Sequence, residues 1–386
     1  MDKSYLITNQ DKDCFNCELC QEVCPFNSIE KKDRSAFFYP YKNSKCTDCK
    51  VCEKFCPSHK NKVNEFEQKF YGLWNKKDDV ILKSSSGGAF TSLAMFVLDK
   101  NGAVYGATFN EHMVVEHKRV TDLNELDCLR GSKYVKSSIK NSFKLVKKDL
   151  DDDKYVLFSG TPCQIAAIRA YLRKDYEKLY CVDLVCHGTP TPVAFKKYQE
   201  YLEETNQSKL TEIKFRLKKD SEKSYFYAKF VNGLEIIEPF TPETNKYAKV
   251  FYSNIALSPA CTECQFNNLN RPGDVTIGDF WGIEKCEGVQ KNHLGNSLLI
   301  VNNEKGKELL ENIREYCDYK EVDKEIAVKG NPPLYTHTIE HPLSKLYKKM
   351  ILKHNFNKTY MWIVVIGSKV MLPYRIVRKV IKKLRG

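Results

Sequence analysis

The sequence predicts an α+β protein in two parts: a small N-terminal module built around clustered cysteines, then a larger mixed α/β domain. Two observations carry the prediction. CFNCELCQEVCP at residues 14–25 returns as CTDCKVCEKFCP at 46–57, with every cysteine and the closing proline in the same relative place. Further along, YVLFSG, TPCQIAAIRAYLRKD and LYCVDLVCHG read as a buried strand, a helix and a second strand, which makes a βαβ unit with parallel strands.

The repeated run has the C-x2-C-x2-C-x3-C-P spacing that holds iron–sulfur clusters in bacterial ferredoxins. Two-residue gaps let three cysteines curl around one cluster, while the fourth is carried away on a short helical turn and serves the other. The expectation is one 4Fe-4S cluster on Cys14, Cys17, Cys20 and Cys56, and a second on Cys46, Cys49, Cys52 and Cys24. Zinc sites usually pair two CxxC units across a longer gap. A disulfide framework needs a secreted chain, and MDKSYLITNQDKD has no apolar core to act as a leader. Sixteen cysteines in a leaderless sequence point to a reducing compartment, with the cytoplasm as the default.

The 386 residues are long enough for two or three domains. Residues 1–65 form the cluster module, poor in branched apolar residues where inorganic clusters replace a hydrophobic core. Residues 68–154 open the larger region: YGLWN and GAVYGATFN read as strands, SSSGGAFTSLAMFVLDK as a loop turning into a helix, and MVVEHKRV as a strand. The loop LRGSKYVKSS and a lysine-rich amphipathic helix complete that part. Residues 155–335 hold the βαβ unit, a helix at VAFKKYQEYLEE and an antiparallel pair turning at Asn232-Gly233. Residues 336–386 form a basic amphipathic tail.

That tail also accounts for most of the formal charge of +13, since no acidic residue follows Glu340. Four-thiolate 4Fe-4S clusters are themselves anionic, so the body is less basic than the count says. No basic stripe interleaved with aromatics appears in it, which argues against a nucleic-acid partner. The tail's apolar stretch before Pro373 is too short and interrupted to span a bilayer. Beyond the proline, Ile376, Val377, Val380, Ile381 and Leu384 share one helical face among lysines and arginines. The pattern suits peripheral contact with an anionic membrane surface, on the inner face for a cytoplasmic protein, and equally a helix docked on the protein's own body.

Outside the repeat, Cys163 and Cys186 fall at the carboxyl edge of the βαβ sheet, where open α/β sheets bind ligands, and Cys261 and Cys264 form a CxxC. Four thiolates suffice for a third cluster, which would extend an electron path, and zinc is the structural rival. Cys128, Cys181, Cys286 and Cys317 lack partners at ligand spacing and read as buried apolar residues. KSSSGGAF ahead of an apolar helix suits either a phosphate site or a simple cap. RGSKYVKSS could set Lys133 and Tyr134 against a cofactor, or be a solvated loop. His187 reads as a lone histidine, and Asp279 and Trp281 in GDFWG sit at an expected strand end.

Taken in order, SSSGGAF, GSKYVKS, FSGTPCQIAAIR, DLVCHGTPTP, CTECQF and RPGDVTIGDFWG resemble the coenzyme F420 hydrogenase/dehydrogenase beta-subunit family, preceded by a two-cluster ferredoxin domain. The resemblance covers roughly residues 1–335 and is specific through motif order. It implies a mixed α/β flavin-binding domain, with Ser84, Ser86, Gly87, Gly88, Ser132, Lys133, Tyr134 and Ser137 near FAD, and it supports the third cluster. It implies an iron–sulfur flavoprotein oxidoreductase exchanging electrons between clusters and FAD with F420 or another small-molecule acceptor or donor. A ferredoxin or other redox protein would be the partner. Relatives of similar layout, including chlorophyll-pathway reductases and proteins associated with surface-polysaccharide biosynthesis, act on other molecules. The alternative is an electron-transfer subunit that delivers current to a partner enzyme.

Overall fold

The computed structural model describes residues 4–34, 36–58 and 65–367. In the N-terminal segment the sequence repeat is also a backbone repeat. The short helices Leu19–Glu22 and Val51–Lys54 are each entered through a left-handed residue, Glu18 at φ 66° and Lys50 at φ 60°. Asn16 at φ 53° and Asp48 at φ 54° repeat the bend one position before the second cysteine of each run. Asn and Asp tolerate this region better than most residues, so the polar gap residues help the loop to curl. A hairpin of β1 (Ile29–Arg34) and β2 (Phe37–Lys42) lies between the two runs.

The body is built on one mixed sheet. Its strands enter as β3 (Lys69–Asn75), β4 (Ala103–Phe109), β5 (Val115–Val120), β6 (Val156–Gly160) and β7 (Leu179–Leu184). A separate three-stranded antiparallel sheet follows as β8 (Leu210–Leu217), β9 (Tyr225–Phe230) and β10 (Glu235–Pro239). The main sheet resumes with β11 (Val275–Asp279), β12 (Ser297–Val301) and β13 (Cys317–Glu321). Its eight strands run in the order β13-β3-β12-β11-β7-β6-β4-β5. The central β11, β7, β6 and β4 are parallel, which explains why VLFSG and LYCVD are nearly continuous buried runs. The expected boundary at residues 154/155 falls inside this sheet, so strands from both sides of it form one packed body.

Helices cover both faces. Leu93 and Val97 of the Ala89–Asp99 helix pack with Val104 and Leu157 on one face, and Phe143, Ile165 and Ile168 pack with Tyr105 and Phe158 on the other. Leu19, from the first cysteine run, is fully buried in that second core, with Cys17, Val23 and Phe55 around it. The cluster module is therefore anchored in the body by its own apolar residue.

A third core gathers Phe195 and Tyr198 of the Pro192–Asn206 helix, Phe215 of β8, Phe226 of β9 and Tyr247. Tyr347, Ile351, Phe356 and Ile363 join it, so residues 344–367, expected as the start of the tail, complete a core. The basic helix expected to carry Ile376, Val377, Val380, Ile381 and Leu384 falls outside the described residues. No helix among the described residues is long and apolar enough to cross a membrane.

Candidate functional site

Cys14, Cys17, Cys20 and Cys56 line a single cavity of about 220 Å³. Three come from the curled first run, and Cys56 is delivered from the end of the second. Cys24 lies with Cys52 in another buried group, and Ser28 steadies its sulfur through N–H (3.3 Å) and Oγ (3.1 Å) contacts. Those contacts outweigh burial and hold the Cys24 thiol below its usual pKa. In the first cavity burial dominates and pushes Cys14 up to about 12 and Cys17 and Cys20 upward, with neighbouring thiols adding to the effect. Four thiols lining one cavity suffice to ligate a 4Fe-4S core, which would take them as thiolates. Cys46 is half-buried and Cys49 exposed.

Cys163, Cys186, Cys261 and Cys264 line a second cavity. Cys163 is the second residue of the Pro162–Leu172 helix, whose start is fixed by a capping box between Thr161 and Gln164. Cys186 lies just past the end of β7, so both occupy the carboxyl edge expected of them. Arg271 fastens the remaining loop to that edge. It is wholly buried, pairs with Asp183 at 2.6 Å, and donates to the carbonyls of Leu184 (2.8 Å) and Phe266 (2.7 Å). One guanidinium thus ties the strand before Cys186 to the turn after Cys264. Burial raises the thiols of Cys186 and Cys261, and takes Cys264 to about 12. Among the described residues no group of three or more His, Cys, Asp or Glu is gathered for a single metal ion.

The two cavities share a wall made by Phe15 and Lys136. Phe15 rests 5.5 Å from Phe266, ring centre to ring centre. Lys12 pairs with Glu263 at 3.0 Å, and Gln265 donates to the Pro57 carbonyl at 3.0 Å. Glu18 accepts from the amides of Ile139 (3.0 Å) and Lys140 (3.2 Å), locking the first cysteine loop onto the segment that carries Lys136. Sequence reasoning missed Phe15, Glu18, Lys136 and Arg271 as organisers; all four lie inside recognisable motifs, but nothing local reveals their long-range partners.

The residues expected near FAD fall into two touching loops and one outlier. Ser85 accepts from the Ser132 amide at 2.7 Å, which joins the serine–glycine turn to the 130–134 loop. Ser84 donates to Val80 and Ser86 to Asn296, both to backbone carbonyls. A Cβ on Gly87 would sit 2.4 Å from the Leu73 carbonyl oxygen, so this glycine is required by close packing on β3. Gly88, at φ 90°, starts the Ala89–Asp99 helix. Lys133 donates to the carbonyls of Cys128 (3.0 Å) and Arg130 (2.7 Å), and burial brings it down to about 7. Lys218, not anticipated, reaches the same turn through the Ser86 carbonyl at 2.6 Å, and burial takes it to about 8. Tyr134, expected to stack on a cofactor, stacks instead on Phe240 with ring centres 5.4 Å apart and touches Phe251 and Phe215. Ser137 lies apart from the turn, buried and bonded to Gln164 at 2.9 Å.

The other singled-out residues find structural partners. His187 bonds Asn254 at 2.7 Å, Asp279 pairs with Arg216, and Trp281 is exposed. Cys181, Cys286 and Cys317 are buried, and Cys128 is half-buried.

Residues 153–325 match the family model for the C terminus of the coenzyme F420 hydrogenase/dehydrogenase beta subunit, and residues 10–60 match the 4Fe-4S dicluster domain. The protein thus carries a region similar to an iron–sulfur dicluster domain ahead of a region similar to the C terminus of that beta subunit. Among solved structures, it is similar to a component of the xenon-derivatised F420-reducing NiFe hydrogenase complex from Methanosarcina barkeri. That match has 16% identity and a TM-score of 0.44, covering 76% of this protein and 90% of the other. No curated protein matches.

Proposed function

We propose that the chain is an iron–sulfur flavoprotein oxidoreductase that passes single electrons along three 4Fe-4S clusters to FAD. The supporting observation is the pair of thiol-lined cavities meeting at Phe15 and Lys136. On this reading Cys14, Cys17, Cys20 and Cys56 hold one cluster, Cys24, Cys46, Cys49 and Cys52 hold another, and Cys163, Cys186, Cys261 and Cys264 hold the third. The third lies where the cluster module meets the carboxyl edge of the main sheet, so current from the module enters the body there.

FAD suits the turn at Ser84–Gly88 and the adjoining Ser132–Lys133 loop. Lys133 and Lys218 bring two cations whose assigned partners are carbonyls, and an anionic phosphate would relieve the cost of burying them. When bound, FAD exchanges electrons singly with clusters and in pairs with a substrate. The residues around it bind and orient; Tyr134, engaged by Phe240, buttresses the loop from behind. F420 or another small two-electron acceptor would be the substrate, and a ferredoxin-type protein the one-electron partner.

Anaerobic purification followed by flavin analysis and an acceptor screen that includes F420 tests the assignment. One flavin per chain with turnover of a soluble acceptor is expected. Fully loaded clusters with no flavin and no acceptor activity would instead make the protein an electron relay for a partner enzyme.

A further inference from the structure

Among the described residues, Lys136 is the one cation that lines both cysteine cavities. Its Nζ is 3.5 Å from the Cys163 sulfur. The segment carrying it is fixed from both sides: the neighbouring Ser137 by Gln164 of the Pro162–Leu172 helix, and Ser138 and Ile139 by Glu18 of the first cysteine loop. The segment that carries the ammonium is thus held between the two sets of ligands by a residue beside each, Gln164 next to Cys163 and Glu18 next to Cys17.

We propose that Lys136 sets the relative reduction potentials of the two centres on either side of it, and so the direction in which an electron rests between them. The inference depends on the reading that both cavities hold clusters. The step is one-electron: the centre on Cys14, Cys17, Cys20 and Cys56 is oxidised by one electron, and the centre on Cys163, Cys186, Cys261 and Cys264 is reduced by one. No bond or proton moves, and a ferredoxin-class donor replaces the electron. A fixed positive charge stabilises whichever nearby cluster has gained negative charge, and cluster potentials respond to net charge and to hydrogen bonds at the sulfurs. Because Nζ touches Cys163, the effect falls most strongly on the Cys163 centre and favours delivery into the body.

The test is an anaerobic redox titration of the full chain, followed by electron paramagnetic resonance, on wild type, Lys136→Met, Lys136→Gln and Lys136→Arg. The centre on Cys24, Cys46, Cys49 and Cys52 serves as the internal reference, because none of its cysteines lines either cavity that Lys136 lines. In the neutral variants the Cys163 centre should fall relative to the Cys14 centre by at least about tenfold in the electron-sharing equilibrium, about 59 mV for one electron. Lys136→Arg should restore the wild-type spacing. Unchanged spacing in a fully loaded neutral variant would overturn the proposal, as would loss of iron from both neutral variants, which would make the lysine structural. Failure of the underlying reading looks different: wild-type protein would show no third cluster signal at all.

Discussion

Leu19→Ala tests whether the cluster module and the body are one cooperative unit. Leu19 lies between Cys17 and Cys20 yet is fully buried among Tyr105, Phe143, Ile165 and Ile168 of the body's core. Truncating a buried leucine costs about 2–5 kcal/mol, and the upper part applies where the surroundings cannot collapse. Here the neighbours belong to a sheet and two helices held by other contacts, so about 3 kcal/mol is the reasonable figure. At a urea m-value of about 3 kcal/mol/M, the midpoint should drop by about 1 M. Leu123, exposed at 45%, supplies the control, and its alanine variant should stay within about 0.5 kcal/mol of wild type. Urea unfolding of the anaerobic holoprotein would be followed by cluster absorbance and by tyrosine fluorescence. Both signals should move together in Leu19→Ala. A Leu19→Ala midpoint equal to that of Leu123→Ala would refute the anchoring, and loss of the cluster signal alone would refute the single cooperative unit.

Two further outcomes follow from the site and its surroundings. Cys24→Ala should damage the cluster whose other ligands are Cys46, Cys49 and Cys52, because Cys24 lies with Cys52 in the fold; spectroscopic loss confined to the Cys14 centre would reverse the crossing. Asp149 accepts from Arg119 at 2.6 and 2.7 Å and from Tyr105, and although its burial opposes ionisation, these bonds hold its carboxyl below the usual range. Its contribution is therefore complete above the ordinary carboxylate pKa near 4 and is lost as pH falls through the lower folded value. Asp149→Asn should cost about 2 kcal/mol at pH 7, a figure kept low because Arg119 is partly exposed, and the gap to wild type should narrow progressively as pH falls below about 4. A gap that does not narrow at all as pH falls below about 4 would place the loss in shape and not in charge.

The cysteine pattern made the chemistry of the N-terminal segment legible because ligand spacing is a local property. The same holds for the βαβ unit, where a continuous apolar run, a capping Thr161 and a second run specify strand, helix and strand. What the sequence hid depends on contacts between distant residues. Residues 317–321 pair with β3 to edge the sheet, although CDYKE alternates too weakly to announce a strand. Gly87 reads locally as room for a phosphate, yet the neighbour that demands a glycine is the Leu73 carbonyl. Tyr134 reads as a stacking ring and finds Phe240, more than a hundred positions away. Lys136 stands three residues after Lys133 in the same basic loop, and only the fold separates the roles, turning one back onto the carbonyls of its own loop and setting the other between two sets of thiols.

The central claim is that twelve cysteines hold three clusters, and iron and zinc analysis of anaerobically purified, fully loaded protein addresses it most directly. About twelve irons per chain, with sulfide to match and no zinc, is the predicted result. About eight irons, or eight with one zinc that disappears in Cys163→Ser, would contradict it and leave the Cys163, Cys186, Cys261 and Cys264 cavity outside the electron path.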